Sequence, residues 1–239
     1  MQLSAYAYTN RGGRDHNEDS LRASAEQGIF VLADGLGGHR CGEVASQAAV
    51  DAIFTGMAQA EALAEASLLD LFRSANEELL RRQAQPGQEE MRTTAVALKL
   101  AGSTAVWAHI GDSRLYRFSN GELAGVTADH SVTYRKFLGG EISYMDVYHD
   151  DDRSRLLRVL GKEPCRPEAG QAAVSPGDAF LLCSDGFWEF VYNEEIQADL
   201  CRARTPEEWA EGMLLRHIRR TPPGSDNFSL ITVFVEACG

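Results

Sequence analysis

The chain has 239 residues of which 44% are apolar, enough to fill the core of one large domain. Asp and Glu outnumber Lys and Arg by 35 to 23, and the net charge of −12 argues against a nucleic acid or an anionic membrane as partner. No stretch approaches the roughly 18 uninterrupted apolar residues of a membrane span, and the opening MQLSAYAYTNRGGRD lacks a basic region followed by an apolar run, so the expected setting is cytoplasmic.

Residues 3–8 and 20–34 read as strands, and 43–58 and 61–83 as two long helices. In the second helix Leu68, Leu71, Phe72, Ala75, Leu79 and Leu80 recur at helical spacing, with Glu77, Glu78, Arg81 and Arg82 on the other side. The first offers Ala45, Ala48, Ala49, Ala52 and Gly56, small enough to lie close against a sheet. After Pro86-Gly87 come TTAVALKLA, TAVWAHI and RLYRF, parted by Ala101-Gly102-Ser103 and Gly111-Asp112-Ser113, turns short enough to predict an antiparallel meander. Residues 129–160 mix polar, aromatic and acidic types and read as a surface insertion with short helical pieces, a flap around 132–152. Its cluster His149, Asp150, Asp151 and Asp152 reads as a solvated loop.

Strands return at 171–175 and 178–184, helices at 193–200 and 205–219, the latter opened by Thr205-Pro206, and a last strand at 228–235. Strands and helices in blocks, without strict alternation, predict an α+β layered domain of two packed sheets flanked by helices. No repeat or linker divides it, so residues 1–239 are expected to form a single domain. Cys41, Cys165, Cys183, Cys201 and Cys238 are scattered without Cys-x-x-Cys spacing, against a zinc cluster or a disulfide framework.

Four aspartates stand beside apolar strand runs: Asp34 in IFVLADG, Asp112 in WAHIGDSR, Asp185 in FLLCSDG and Asp226 opening DNFSLITVFV. One Asp at a strand end is ordinary turn chemistry. Strands lying side by side would collect all four at one edge, where mutual repulsion raises their pKa values unless cations lie among them. Hard oxygen ligands suit magnesium or manganese. Other chemistries fail on spacing: there is no Gly-x-x-x-x-Gly-Lys-Ser/Thr loop, no His-Glu-x-x-His and no Gly-x-Ser-x-Gly. His16-Asn17-Glu18 imitates a deaminase motif, but Pro164-Cys165 has no second cysteine three residues on.

The order of short motifs resembles the metal-dependent serine/threonine phosphatases of the protein phosphatase 2C type, and especially short bacterial members. RDHNEDS at 14–20, DGLGGH at 34–39, GEVAS at 42–46, TTA at 93–95, GDSR at 111–114, TADHS at 127–131, SDG at 184–186 and DN at 226–227 carry the resemblance. It implies a four-layer α-β-β-α sandwich, two mainly antiparallel sheets flanked by helix pairs, with two manganese or magnesium ions at one end and room for a third. By the same resemblance Asp34 bridges the two ions, the Gly35 carbonyl joins one, Asp185 and Asp226 hold the other, and Glu18 and Asp19 act directly or through water. Asp112 would serve a third ion, Arg14 would bind the substrate phosphate, and His39 would protonate the leaving oxygen. The implied reaction is attack of a metal-bridging water on phosphoserine or phosphothreonine in phosphorylated protein substrates, opposing a serine/threonine kinase. The chain departs from the pattern in three places: Arg92 precedes the Thr pair where Gly is common, Glu189 stands where a second Asp often does, and the flap shows little of the usual pattern. Two alternatives are a binding-only pseudophosphatase, whose mark would be a lost metal-ligating aspartate, and a phosphohydrolase of small metabolites.

Overall fold

The computed structural model describes residues 2–36, 41–60 and 64–236. Strands β1 (Gln2–Asn10), β2 (Asp19–Ser24) and β3 (Ile29–Leu36) precede helices α1 (Cys41–Gln59) and α2 (Glu65–Arg82). Next come β4 (Arg92–Thr93), β5 (Ala95–Ala101), β6 (Thr104–Ile110), β7 (Arg114–Ser119) and β8 (Glu122–Val126), then α3 (Val132–Leu138) and a 3-10 turn at Met145–Tyr148. β9 (Glu168–Ala173), β10 (Ala179–Cys183), α4 (Asp185–Trp188), α5 (Asn193–Leu200), α6 (Pro206–Arg220) and β11 (Phe228–Glu236) complete the order. One sheet runs β1-β11-β10-β7-β8 and the other β2-β3-β5-β6-β9, with β4 paired to β3. The expected α+β sandwich is therefore found.

Side-chain alternation explains the four layers. In β3, Ile29, Val31 and Ala33 pack with α1 and α2, while Phe30 and Leu32 face the opposite sheet and meet Phe180, Leu182, Ile231 and Val233. A strand buried on both faces reads as one unbroken apolar run, as IFVLA does. On the far side Trp209 and Met213 of α6 cover Phe118 and Leu181, with Trp209 edge-on to Phe118 at a centroid separation of 5.5 Å. Helix α6 starts where its sequence signal lies, Thr205 accepting a bond from the Glu208 amide and Pro206 in the first turn.

The structure corrects four expectations. The 20–34 segment is a hairpin, β2 running antiparallel to β3 with Asp19 opposite Asp34. The helix expected over 61–83 is found from Glu65, its first three residues lying outside the described residues. The meander holds only for β5 and β6, because β7 pairs with β10 in the other sheet and β9 takes the free edge of β6. Gly111-Asp112-Ser113 is thus a crossing between sheets; a three-residue link is equally compatible with either course, so spacing could not decide. In the acidic cluster of the flap, His149 and Asp151 are exposed as expected, but Asp150 is half-buried and accepts bonds from Lys136 Nζ at 2.9 and 3.0 Å and from Thr133 Oγ1 at 2.9 Å, bracing α3.

Phe30 is completely buried between the sheets. Phe30→Ala is expected to cost about 3–5 kcal/mol in urea unfolding with an unchanged m-value.

Candidate metal centre

Asp34 closes the buried part of β3, and its backbone is held on three sides. Its amide donates to Thr94 Oγ1 at 3.0 Å, and its carbonyl accepts from Thr93 Oγ1 at 2.8 Å and the Thr94 amide at 2.9 Å. Thr94 Oγ1 also meets Ser113 Oγ at 2.7 Å, so the Thr pair ties Asp34 to the crossing that carries Asp112. At that crossing Gly111 has φ +100, which favours glycine, and a Cβ there would lie 2.6 Å from Thr94. His130 holds it from both ends, accepting the Gly111 amide on Nδ1 at 3.2 Å and donating its own amide to the Gly111 carbonyl at 2.9 Å.

Asp112 is anchored from behind. Trp188 Nε1 donates to its carbonyl at 2.9 Å, and the Arg114 guanidinium stacks 3.5 Å over the Trp188 ring. Arg114 is itself buried and forks onto Asp129, Nε to Oδ1 at 2.8 Å and Nη2 to Oδ2 at 2.6 Å. The GDSR and TADHS motifs are therefore one structural unit.

Asp19, opposite Asp34, accepts Ser184 Oγ on Oδ2 at 2.8 Å, while its buried Oδ1 has no partner. Glu18 is placed by its neighbours: Asn227 Oδ1 accepts its amide at 2.8 Å, and its carbonyl accepts from Ser46 Oγ at 2.6 Å and the Gly35 amide at 3.1 Å. Asn227 Nδ2 also donates to the carbonyls of Arg11 and His16, fixing the loop that bears Arg14. Gly35 lets α1 begin against β3, since a Cβ there would sit 2.1 Å from the Gly42 carbonyl oxygen.

These elements enclose a cavity of about 390 Å³ lined by Glu18, Asp34, Asp112, Asp185 and Asp226, with Arg14 and His16 at its wall. Arg14 Nη2 donates to Asp226 Oδ2 at 2.9 Å, and both side chains are about half exposed. Burial, followed by repulsion from Asp185, Asp19 and Asp112, holds the Asp34 carboxyl well above its usual range. Burial and then Asp185 do the same to Asp112, and burial and then Asp226 raise Asp185. Burial pushes Asp19 up to about 7 against the pull of the Ser184 hydroxyl. Glu18 is raised by burial and by Asp226. Crowded carboxylates with one lone oxygen unbonded form a donor set that fits hard divalent cations.

Of the residues expected at the site, Arg14, Glu18, Asp34, Gly35, Asp112, Asp185 and Asp226 line this cavity, Asp19 lies behind it, and His39 falls outside the described residues. Glu189 is held away by a partner of its own. Arg153 Nε donates to its Oε1 at 2.9 Å, while burial and Asp185 push the carboxyl up to about 7. A tighter triad lies elsewhere, His109, His130 and Glu168, whose ligand atoms fall within 4.8 Å of one another. It already holds a cation, since Arg158 Nη1 lies 2.5 Å from Glu168 Oε1 and 3.1 Å from His130 Nε2. A larger groove of about 750 Å³ between α1 and α2 has no such convergence of buried carboxylates. The sequence reading missed the positioning roles of Thr94, Ser113, Ser184 and Asp129; Ser113 and Ser184 share the GDSR and SDG motifs with Asp112 and Asp185, while Thr94 and Asp129 lie in the separate motifs TTA and TADHS.

A family model described as protein phosphatase 2C matches residues 9–214. The chain is 33% identical to the serine/threonine phosphatase stp of Listeria monocytogenes, over 94% of this chain and 93% of that one. The crystal structure of the Mycobacterium tuberculosis serine/threonine phosphatase PstP superposes with a TM-score of 0.89 at 31% identity, covering 99% of this chain and 100% of that one. The PstP catalytic domain in complex with two manganese ions gives a TM-score of 0.87 at 30% identity, covering 98% and 99%.

Relief of carboxylate repulsion gives a test independent of turnover. In chelator, Asp34→Asn is expected to raise stability by about 1–2 kcal/mol, a few degrees in Tm. Manganese should raise the Tm of the wild type and leave the variant nearly unmoved; a variant less stable than wild type in chelator would show that the carboxylates do not oppose one another.

Proposed function

The chain belongs to the protein phosphatase 2C family, and from that premise we propose that it hydrolyses phosphoserine and phosphothreonine in proteins at the acidic cavity. The observation that carries this reading is the convergence of Glu18, Asp34, Asp112, Asp185 and Asp226 on one cavity with Arg14 at its rim. A binding-only protein has no need of that full acidic set.

Two manganese or magnesium ions, when bound, would supply positive charge to the phosphoryl oxygens and lower the pKa of water for in-line attack. Asp34, the Gly35 carbonyl, Asp185 and Asp226 would hold these ions, with Glu18 and Asp19 acting directly or through water and Asp112 available to a third. Asp226 engages one nitrogen of Arg14, which leaves the other N–H groups to fork onto a phosphoryl group. Leu36 and Leu156 line the same cavity and give the leaving side chain an apolar wall. The departing serine or threonine oxygen needs a proton, which a histidine can give near neutral pH. We keep His39 in that role; His16, at the cavity wall, is the described residue that could replace it.

In this reading residues 1–239 act as one catalytic domain with the flap around 132–152. Among the described residues no helix is long and apolar enough to cross a membrane. Cytoplasmic phosphoproteins, and the serine/threonine kinase that modifies them, are the partners we propose.

Phosphate release from a phosphothreonine peptide should require manganese or magnesium, stop with chelator, and fall about a thousandfold or more in Asp34→Asn. Undiminished turnover in that variant would exclude this cavity as the site. His39→Ala should lose about a hundredfold on the peptide and far less on p-nitrophenyl phosphate, whose leaving group needs no proton; the same split in His16→Ala would move the role there.

A further inference from the structure

The cleft does not end at the carboxylates. A second cavity of about 260 Å³ shares Leu36, Ser154 and Leu156 with the first and presents Arg92 and Lys162 beyond them, with Glu90 as its acidic lining residue. Arg92 lies opposite Leu36, one step past the Gly35–Thr93 pair, so its backbone stands two positions along and one strand over from Asp34, roughly 8 Å away.

Both cations are mounted on fixed backbone. Thr93 and Leu160 exchange amide bonds of 3.2 and 2.8 Å, with Arg92 just before one and Gly161-Lys162 just after the other. Asn76 Oδ1 accepts the Gly161 and Lys162 amides at 2.7 and 3.3 Å, and Gln83 Nε2 donates to the Gly161 carbonyl at 2.7 Å. Four neighbouring cations are already paired: Lys136 with Asp150 and Asp152, Arg153 with Glu189, Arg155 with Asp152 and Arg158 with Glu168. Arg92 and Lys162 are exposed and form no ion pair among the described residues.

We propose that this second cavity is a specificity subsite for an anionic side chain on the substrate, with Arg92 and Lys162 its determinants. The inference rests on the phosphatase reading. An extended peptide advances about 3.3 Å per residue, so with the phosphoresidue at Asp34 the anion sits two or three residues away. A glutamate or aspartate carboxylate and a second phosphate share the required chemistry, the dianion holding more tightly.

The test is kcat/KM, with manganese, for phosphothreonine peptides carrying Glu, a second phosphothreonine, Ala or Lys two and three residues to either side. Anionic flanks should be favoured about threefold to tenfold over Ala, as one or two partly screened ion pairs give. The gain should shrink at high salt and vanish in the Arg92→Ala/Lys162→Ala double variant, whose p-nitrophenyl phosphate turnover stays at the wild-type level. Preference for phosphate alone would name a doubly phosphorylated substrate; preference for both anions, an acidic one. Equal kcat/KM across the flanks, or a preference that survives the double substitution, overturns the subsite and leaves the phosphatase reading intact. If no peptide is turned over, anisotropy decides: tighter binding of anionic peptides, lost in the double variant, keeps the subsite and sinks the phosphatase reading, whereas uniform binding sinks both.

Discussion

Buried carboxylates repel one another, and the open end of this sandwich is organised to hold them together in spite of it. Desolvation is the first cause of the raised values at Asp19, Asp34, Asp112 and Asp185, and mutual repulsion joins it at each. The scaffold offers little counter-charge there, since Arg14, on Asp226, is half exposed. What it offers is hydroxyls and amides that fix position without neutralising charge: Thr93, Thr94, Ser184 and Asn227. Arg114 and Asp129 make the contrast a few residues away, a buried aspartate matched by a two-bond guanidinium. The chain neutralises a buried carboxylate where the need is structural and leaves the others available where it is chemical.

Neither sheet could build the site alone. Asp19 and Asp34 belong to β2 and β3 of one sheet, Asp185 and Asp226 flank β10 and β11 of the other, and Asp112 lies on the link between them. Spacing among the five is therefore set by how Phe30 and Leu32 seat against Phe180, Leu182 and Ile231. Interiors packed at crystal density transmit small shifts, so the apolar layer between the sheets is a determinant of metal geometry although it touches no ligand.

The sandwich was legible because its long apolar runs and its helical stripe each have one physical explanation. The acidic site was legible because four carboxylates at strand ends need a common reason, and the motif order supplied a family in which they have one. What escaped the sequence was of another kind. Whether Gly111-Asp112-Ser113 turns back or crosses over depends on which strand captures Arg114–Ser119, a long-range choice that no local pattern encodes. The strand Glu122–Val126 has five residues, none of them fully buried, so its composition carries almost no strand signal. Asp150 read as surface because a lone acidic cluster gives no hint that Lys136, fourteen residues earlier, will fold back onto it.

Glu189 ties the flap to the site through its length. It follows α4, the helix that begins at Asp185, and its extra methylene relative to Asp carries the carboxylate to Arg153. The next residues along, Ser154 and Leu156, form the wall between the two cavities. That wall is held again on its far side, where Leu156 bridges to Ser131 and the Leu157 amide donates to the His130 carbonyl at 2.7 Å. His130 in turn clamps Gly111, so the partition rests at one end on the residue after the Asp185 helix and at the other on the Asp112 crossing. A substrate chain crossing this partition meets a surface registered to two of the carboxylates, and discrimination in the outer cavity is thereby coupled to alignment in the inner one.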